Sequence, residues 1–334
     1  MNFIGKRMAA ESMTYFKLKP QEFGFKKKTP INLYLKKADG KLELTYKKGS
    51  VVDITELTNQ TTQEAVPYLY SKANERIIYI RQASYFLEEN LHQRKLSVEK
   101  KFSYVRSLIS ILIQEIKANG LDASLVRDIS YISTSIYGLI NTHYNEMNKI
   151  TISPQAETEF EDVFLVTILS GAICKYMGWD NQRTIETVLM GAILHDIGKY
   201  YVPEHLLEQY QGNTSQTIDL DVKKHPRLGA DILDEFSEVS EAVKQIVLQH
   251  HECNDGSGYP MGLNAFKIYP LAKIVAFANE YSEVVSDQRV KLKDGFKLFL
   301  QNKETVFKYD SSTIKAMVKC LKGEVLNKAT GSNL

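Results

Sequence analysis

His195-Asp196-Ile197-Gly198-Lys199 closes one apolar run, and His250-His251-Glu252 closes another. Between them stands His225, and the stretch ends in Asp255-Gly256-Ser257-Gly258-Tyr259-Pro260. Neighbouring side chains on a helix point about 100° apart. Adjacent His-Asp and His-His pairs therefore suit a site entered by a helix end, or two metals sharing one cleft. Within the run from Thr184 to Leu194 that delivers His195, Ile185–Leu194 is apolar nearly all round, so the His-Asp pair sits at the mouth of a buried element. A lone histidine there reads as a hydrogen-bonded core residue. With His225, His250, His251 and Asp196 added, the candidate ligands come from three separate segments, which is how a polar cluster is built within a helical core.

The residue types suggest a reaction class. A carboxylate beside a histidine ligand can bridge two cations, which makes Asp196 the natural shared ligand. Two cations about 3.5–4 Å apart can bind a phosphodiester and generate a hydroxide between them. Histidine with carboxylate ligation suits Fe, Mn, Zn or Ni, and the sequence does not choose among them. Lys199, one helical turn from His195, can bring positive charge to a phosphate. The Gly256–Pro260 segment is a loop by composition, and Asp255, Gly258 and Tyr259 are its candidate substrate contacts. Cys253 lies inside the motif, but hard phosphate chemistry beside so many histidines needs no soft ligand.

Outward from this stretch the chain reads as mainly helical. Val163 to Met177 is an apolar helix ending at Gly178. From about Ala83 to Glu146 apolar residues recur at helical spacing, with Asn119-Gly120 as a stop between two sets. Nearer the N-terminus the pattern changes. Ile31–Leu35 and Leu42–Tyr46 alternate on either side of Ala38-Asp39-Gly40-Lys41, a hairpin signal whose type I′ turn needs positive φ at both central residues. A polar, helix-compatible stretch is expected to about Tyr70, then a third strand at Arg76-Ile77-Ile78-Tyr79-Ile80. Residues 1–29 carry no clear pattern. The expected organisation is a small α/β regulatory or docking domain over 1–82, a helical linker or hairpin over 83–150, and an all-helical metal-binding domain over 151–334.

Composition excludes several classes. The 334 residues are 43% hydrophobic and 25% charged, with a formal charge of +2, too small to argue for DNA or a membrane surface as partner. Lysine clusters such as Lys36-Lys37 read as solvated surface. Cys174, Cys253 and Cys320 are odd in number and far apart, so no disulfide framework is implied. No apolar run is long enough to span a membrane, and Met1–Arg7 lacks the apolar core of a signal peptide, so the expected location is the cytoplasm.

The combined motif, His-Asp-Ile-Gly-Lys, a separate His, then His-His-Glu-x-x-Asp-Gly-Ser-Gly-Tyr-Pro-x-Gly-Leu, resembles the HD-GYP family, a branch of the HD hydrolases that cleave cyclic di-GMP in bacterial signalling. The resemblance covers residues 155–290. It implies an all-helical domain, a bi- or trinuclear metal centre that is often iron, and hydrolysis of cyclic di-GMP to pGpG or GMP. Carried onto this sequence, it implies that Asp196 bridges, that His225, His250 and His251 hold one metal, and that His195 holds the other. Lys199 and Lys273, the latter in Ala272-Lys273-Ile274, match phosphate-contacting positions. Family members are also associated with proteins that make cyclic di-GMP, so docking of such a partner through the Gly-Tyr-Pro loop is a further expectation.

The sequence departs from the family pattern at three places. Sixteen residues before Gly178, where a histidine is usual, stands Asp162. A metal-binding aspartate position is filled by Asn279 in Ala278-Asn279-Glu280-Tyr281-Ser282-Glu283, and the usual Arg-Pro-Tyr-Arg stretch is replaced by Asp287-Gln288-Arg289-Val290. An Asp and Asn pair carries the same single negative charge as a His and Asp pair, and both can offer oxygen to a hard cation, so Asp162 and Asn279 remain expected ligands. The departures also leave a second reading open, a module without activity that binds cyclic di-GMP or a protein. Another phosphate ester as substrate is a third, against which the Gly-Tyr-Pro signature argues.

Overall fold

The computed structural model describes residues 15–18, 28–52, 68–90, 96–152, 158–202 and 222–326. The chain divides into two units, Met1–Asp128 and Ile129–Leu334. In the first, strands β1 (Tyr15–Leu18), β2 (Leu33–Lys36), β3 (Leu42–Tyr46) and β4 (Leu69–Lys72) form an antiparallel sheet in the order β1-β4-β2-β3. The expected hairpin is β2 and β3, with Tyr34 opposite Leu44 and Lys36 opposite Leu42. Its turn differs in detail. Gly40 alone takes positive φ, at 83°, while Asp39 does not. The loop closes through Lys37 N to Lys41 O and Gly40 N to Lys37 O, a type I turn followed by a left-handed glycine rather than a type I′ turn.

Arg76–Ile80 is not a strand. It opens helix α1 (Arg76–Asn90), and the strand of this region lies just before it, as β4. Over five residues the β-branched pair Ile77-Ile78 dominates the reading. Over fifteen, the buried positions Arg76, Tyr79, Ile80, Ala83, Ser84 and Leu87 recur at three and four residues, the helical period. Packing of that face against helix α2 (Val98–Asn119) overrides the local β preference. Arg76 is fully buried, paired with Glu115 of α2 and stacked 5.2 Å from the Phe16 ring. Of the stretch expected to be helix-compatible, residues 53–67 lie outside the described residues, and its end is β4. β1 falls in the region without clear pattern.

Helix α2 stops at Gly120 as expected, and α3 (Ala123–His143) follows, the division between the units falling within it. Among the described residues the second unit has helices and no strand. After the part of α3 that lies in it come a 3-10 turn (Tyr144–Lys149), α4 (Thr158–Tyr176), α5 (Gln182–Leu194), a second 3-10 turn (Ile197–Tyr201), α6 (His225–Leu233), α7 (Glu241–Gln249), α8 (Pro270–Gln288), α9 (Leu292–Gln301), α10 (Lys303–Phe307) and α11 (Ser311–Lys322). The fold is therefore mainly α, with one small sheet near the N-terminus.

Helix α4 is the centre of this unit. Val163, Phe164, Leu165, Val166, Ile168, Leu169, Ala172, Ile173 and Cys174 are all buried, because α5, α8 and α11 pack around it. Each fully buried Val, Leu, Ile or Phe contributes about 1.5–3 kcal/mol of transfer free energy. Helix α5 starts where Asn181 caps the Thr184 amide, and α7 where Ser240 caps Val243. Both helices run inward and end on the paired polar residues of the motif. None of the described helices is long and apolar enough to cross a membrane.

Candidate metal centre

Two helix C-termini and one helix N-terminus meet at Asp196. His195 follows the last residue of α5, His250 follows the last residue of α7, and His225 is the first residue of α6. Carbonyls in a last helical turn lack intrahelical partners, and two of these fix the histidine rings. His195 Nδ1 bonds Ala192 O at 2.7 Å, and His250 Nδ1 bonds Val247 O at 2.7 Å. His225 does the same with Val222 O, also at 2.7 Å. A carbonyl only accepts, so in each ring Nδ1 carries a proton, and a ring without a second proton presents Nε2 as a lone pair.

All three Nε2 atoms converge on one carboxylate. His225 Nε2 and His250 Nε2 lie 3.2 and 3.5 Å from Asp196 Oδ1, and 3.2 Å from each other. His195 Nε2 lies 3.3 Å from the other oxygen, Oδ2, which also pairs with Lys199 Nζ at 2.7 Å. Donor atoms of Asp196, His225, His250 and His251 all fall within 4.8 Å of one another. Among the described residues, the buried atoms His195 Nε2, His251 Nε2 and Asp196 Oδ1 make no hydrogen bond. Buried lone pairs facing a carboxylate are costly unless something positive lies between them. Carbonyl-anchored imidazoles and a shared carboxylate are the donor set that a divalent cation takes, so the residues fit a metal.

The electrostatics agree. Burial lowers the pKa of His225, brings His250 down to about 3, and holds His251 well below the usual imidazole range, which keeps them as neutral ligands. Burial opposes charge on His195 as well, but the adjoining Asp196 outweighs it and the pKa rises. Burial likewise opposes the Asp196 carboxylate and the Lys199 ammonium. Their mutual attraction, joined by His195 for Asp196, wins in both cases, so Asp196 falls well below the carboxylate range and Lys199 rises. Cation binding would displace the His195 proton.

The other expected residues divide. Asp162 on α4 reaches the edge of the cluster, accepting from Ser286 Oγ and interacting with Asp196, Lys199 and His195; burial first, then Asp196, raises its pKa to about 6. Asn279 is buried on α8, and its Nδ2 donates to Glu283 Oε1 at 3.1 Å. Tyr259 lies against the cluster, stacked on His251 with ring centres 4.5 Å apart. Gly258 has a packing role: a Cβ there would lie 2.5 Å from His251 O and Glu252 Cα. Asp255 is exposed and accepts from both the amide and the hydroxyl of Ser257, closing the loop on itself. Lys273 pairs with Asp310 at 3.6 Å, and none of the described contacts joins it to the histidines. Cys253 stands outside the donor group, with its Sγ directed at His251 O.

Two residues were not anticipated. Glu252, within the motif, is buried and accepts from the amides of Met261 and Leu263, each at 2.7 Å, which fastens the loop beneath Tyr259. Glu283 lies on α8 four residues after Asn279 and is exposed, and its charge interacts with Lys199, Asp196 and Asp162. Protein crowding around the carboxyl, with repulsion from its acidic neighbours, raises its pKa to about 7 against the pull of Lys199. Its spacing of four from Asn279 was the available signal, since such residues share a helix face.

A family model described as an HD domain matches residues 136–312, more than half of the chain. The chain belongs to the HD domain family. Its His195-Asp196 and Gly258-Tyr259-Pro260 signatures, with the relatives below, put it in the HD-GYP branch. A cyclic di-GMP phosphodiesterase of Pseudomonas aeruginosa is 38% identical over 102 residues, covering 30% of this HD-GYP chain and 24% of the relative. The cyclic di-GMP phosphodiesterase PdeB of Borreliella burgdorferi is 28% identical over 156 residues, 46% of this chain and 40% of the relative. The chain thus matches well under half the length of these curated relatives. Among solved structures, Bd1817, an HDG"Y"P protein from Bdellovibrio bacteriovorus, superposes with a TM-score of 0.69 at 19% identity, over 92% of this chain and 99% of that one. That likeness concerns the fold.

Proposed function

We propose that this chain is a metal-dependent phosphodiesterase that hydrolyses cyclic di-GMP to pGpG or GMP at a binuclear centre on Asp196. The observation that carries the reading is the convergence of three carbonyl-anchored Nε2 lone pairs on the two oxygens of one carboxylate. His225, His250 and His251 would hold one ion with Oδ1; His195, Asp162 and Asn279 would hold the other with Oδ2. Bound divalent cations, Fe with Mn, Ni or Zn as alternatives, would lower the pKa of a water and draw charge from the phosphate oxygens. The names of the Pseudomonas and Borreliella relatives support cyclic di-GMP as the substrate.

The protein's own groups do the rest. Asp196 spreads its charge over both sides of the cleft. Lys199, held at 2.7 Å from Oδ2, keeps a positive charge where a bridging phosphate must sit. Tyr259, stacked on His251 and overlain at 5.5 Å by the Lys223 ammonium, offers an aromatic wall and a cation to a nucleotide at the cleft mouth. Glu252 fixes that wall through the loop amides.

Purified protein loaded with Fe(II) or Mn(II) should convert cyclic di-GMP to pGpG or GMP by chromatography, and the double substitution His195→Ala/Asp196→Ala should abolish conversion. Turnover retained in the double variant would sink the proposal. Cyclic di-GMP binding by metal-loaded wild type with no product would replace hydrolysis by binding.

A further inference from the structure

We infer that Tyr259 is the positioning residue of His251, doing by ring stacking what a carbonyl bond does for the other three histidines of the cluster. The inference rests on the reading of the cluster as a divalent-cation site and deepens it for one ligand.

The histidines are not held alike. Nδ1 of His195, His225 and His250 each bonds a carbonyl three residues back, at 2.7 Å. Such a bond fixes the ring's orientation and decides which nitrogen is left for a metal. None of the described hydrogen bonds engages the His251 ring, and its buried Nε2 has no partner. Yet His251 stands in the donor group with Asp196, His225 and His250. The terminal torsion of a histidine is broad, with no sharp well to stop the ring from turning. An imidazole without an anchor loses the orientation that ligation needs.

Ring packing supplies the anchor. Tyr259 lies nearly parallel to His251, with 18° between the planes and 4.5 Å between the centres. His225 meets the same imidazole edge-on at 5.1 Å, and His250 meets it tilted at 4.2 Å. Turning His251 breaks the stack and drives its edge toward the tyrosine face. His225 and His250 belong to the donor group themselves, so Tyr259 is the wall among these three that comes from outside it.

The tyrosine is fixed in turn by the backbone. Its amide donates to His251 O at 3.1 Å. Gly258 lets the loop press flat on that turn, since a Cβ there would lie 2.5 Å from His251 O. Lys223 brings its ammonium 5.5 Å from the Tyr259 centre, which ties the ring to the residues that lead into α6.

The test is calorimetric titration of the chelator-stripped chain with Mn(II), with thermal melts in chelator to verify folding. Tyr259→Phe keeps the ring and should bind as wild type does. Tyr259→Ala should bind the ion held by His251 about tenfold or more weakly. Tyr259→Leu, which fills the space without a flat face, should be weakened in the same way. His251→Ala should also bind weakly, and adding Tyr259→Ala to it should cost nothing more, because the ring acts through the imidazole. Wild-type affinity in Tyr259→Ala and Tyr259→Leu would overturn the inference and leave the cation reading standing. So would equal weakening in Tyr259→Phe, or a further loss of the same size in the double variant. A wild type that binds no Mn(II) would overturn both.

Discussion

Replacing Gly198 by Ala tests how tightly backbone packing sets the centre. The 3-10 turn after Asp196 lies so close to the start of α6 that a Cβ at Gly198 would sit 2.0 Å from His225 O and 2.8 Å from Gly229 N. Real Cβ contacts are not found below 3.0 Å, so the turn and α6 must part by at least 1.0 Å. Both neighbours are backbone, so no side-chain rotation can absorb the change. Asp196 immediately precedes the turn and α6 begins at His225, whose Nε2 lies 3.2 Å from Asp196 Oδ1. Metal-ligand distances tolerate only about 0.2 Å, so the displacement is several times what the site can take. Overpacking of this kind costs about 1–3 kcal/mol. For a unit of this size each kcal/mol lowers the melting temperature by about 2–4 °C. The expected result is a chain that still folds, melts earlier, and binds Mn(II) at least about tenfold more weakly. Calorimetry and thermal melts read both quantities. A Gly198→Ala chain with wild-type melting and wild-type metal affinity would refute the argument.

Two further predictions follow from the same residues. Glu252→Gln replaces one of two buried acceptors by a donor that faces a loop amide, at a cost of about 1–3 kcal/mol; hydrogen exchange at Met261 or Leu263 should quicken, and unchanged protection at both would contradict the fastening role. Asp162, with its pKa raised to about 6 by burial, binds its proton more tightly folded than unfolded. In chelator-treated protein its contribution to stability is full below about pH 4 and is lost as pH rises through about 6. His225, His250 and His251, with lowered pKa values, work in the opposite sense. The Asp162 effect is therefore read as wild type minus Asp162→Asn in melts across that window, and a pH-independent difference would count against it.

Much of the second unit was legible because its signals are local and redundant. The apolar runs of α4 and α5, the break at Asn119-Gly120 and the paired polar residues at helix ends all repeat over many positions. The first unit was less so. Arg76–Ile80 reads as a strand over five residues and becomes helix only because its periodic face packs on α2. In the hairpin, Asp39-Gly40 located the turn but not its type, which depends on one residue's φ.

By itself the sequence determined the family, the helical class of the second unit and the identity of the histidines and of Asp196, since these depend on residue type and short spacing. Tertiary structure alone decided how the donors are shared. Helices α5, α6 and α7 bring His195 to Oδ2 and His225 and His250 to Oδ1, a division no linear spacing encodes. It also brought α8 against α4, which joins Ser286 to Asp162 across the core. The physical reason is distance: pairing and ligation act over a few ångströms, and only packing brings residues so far apart in the chain within that reach.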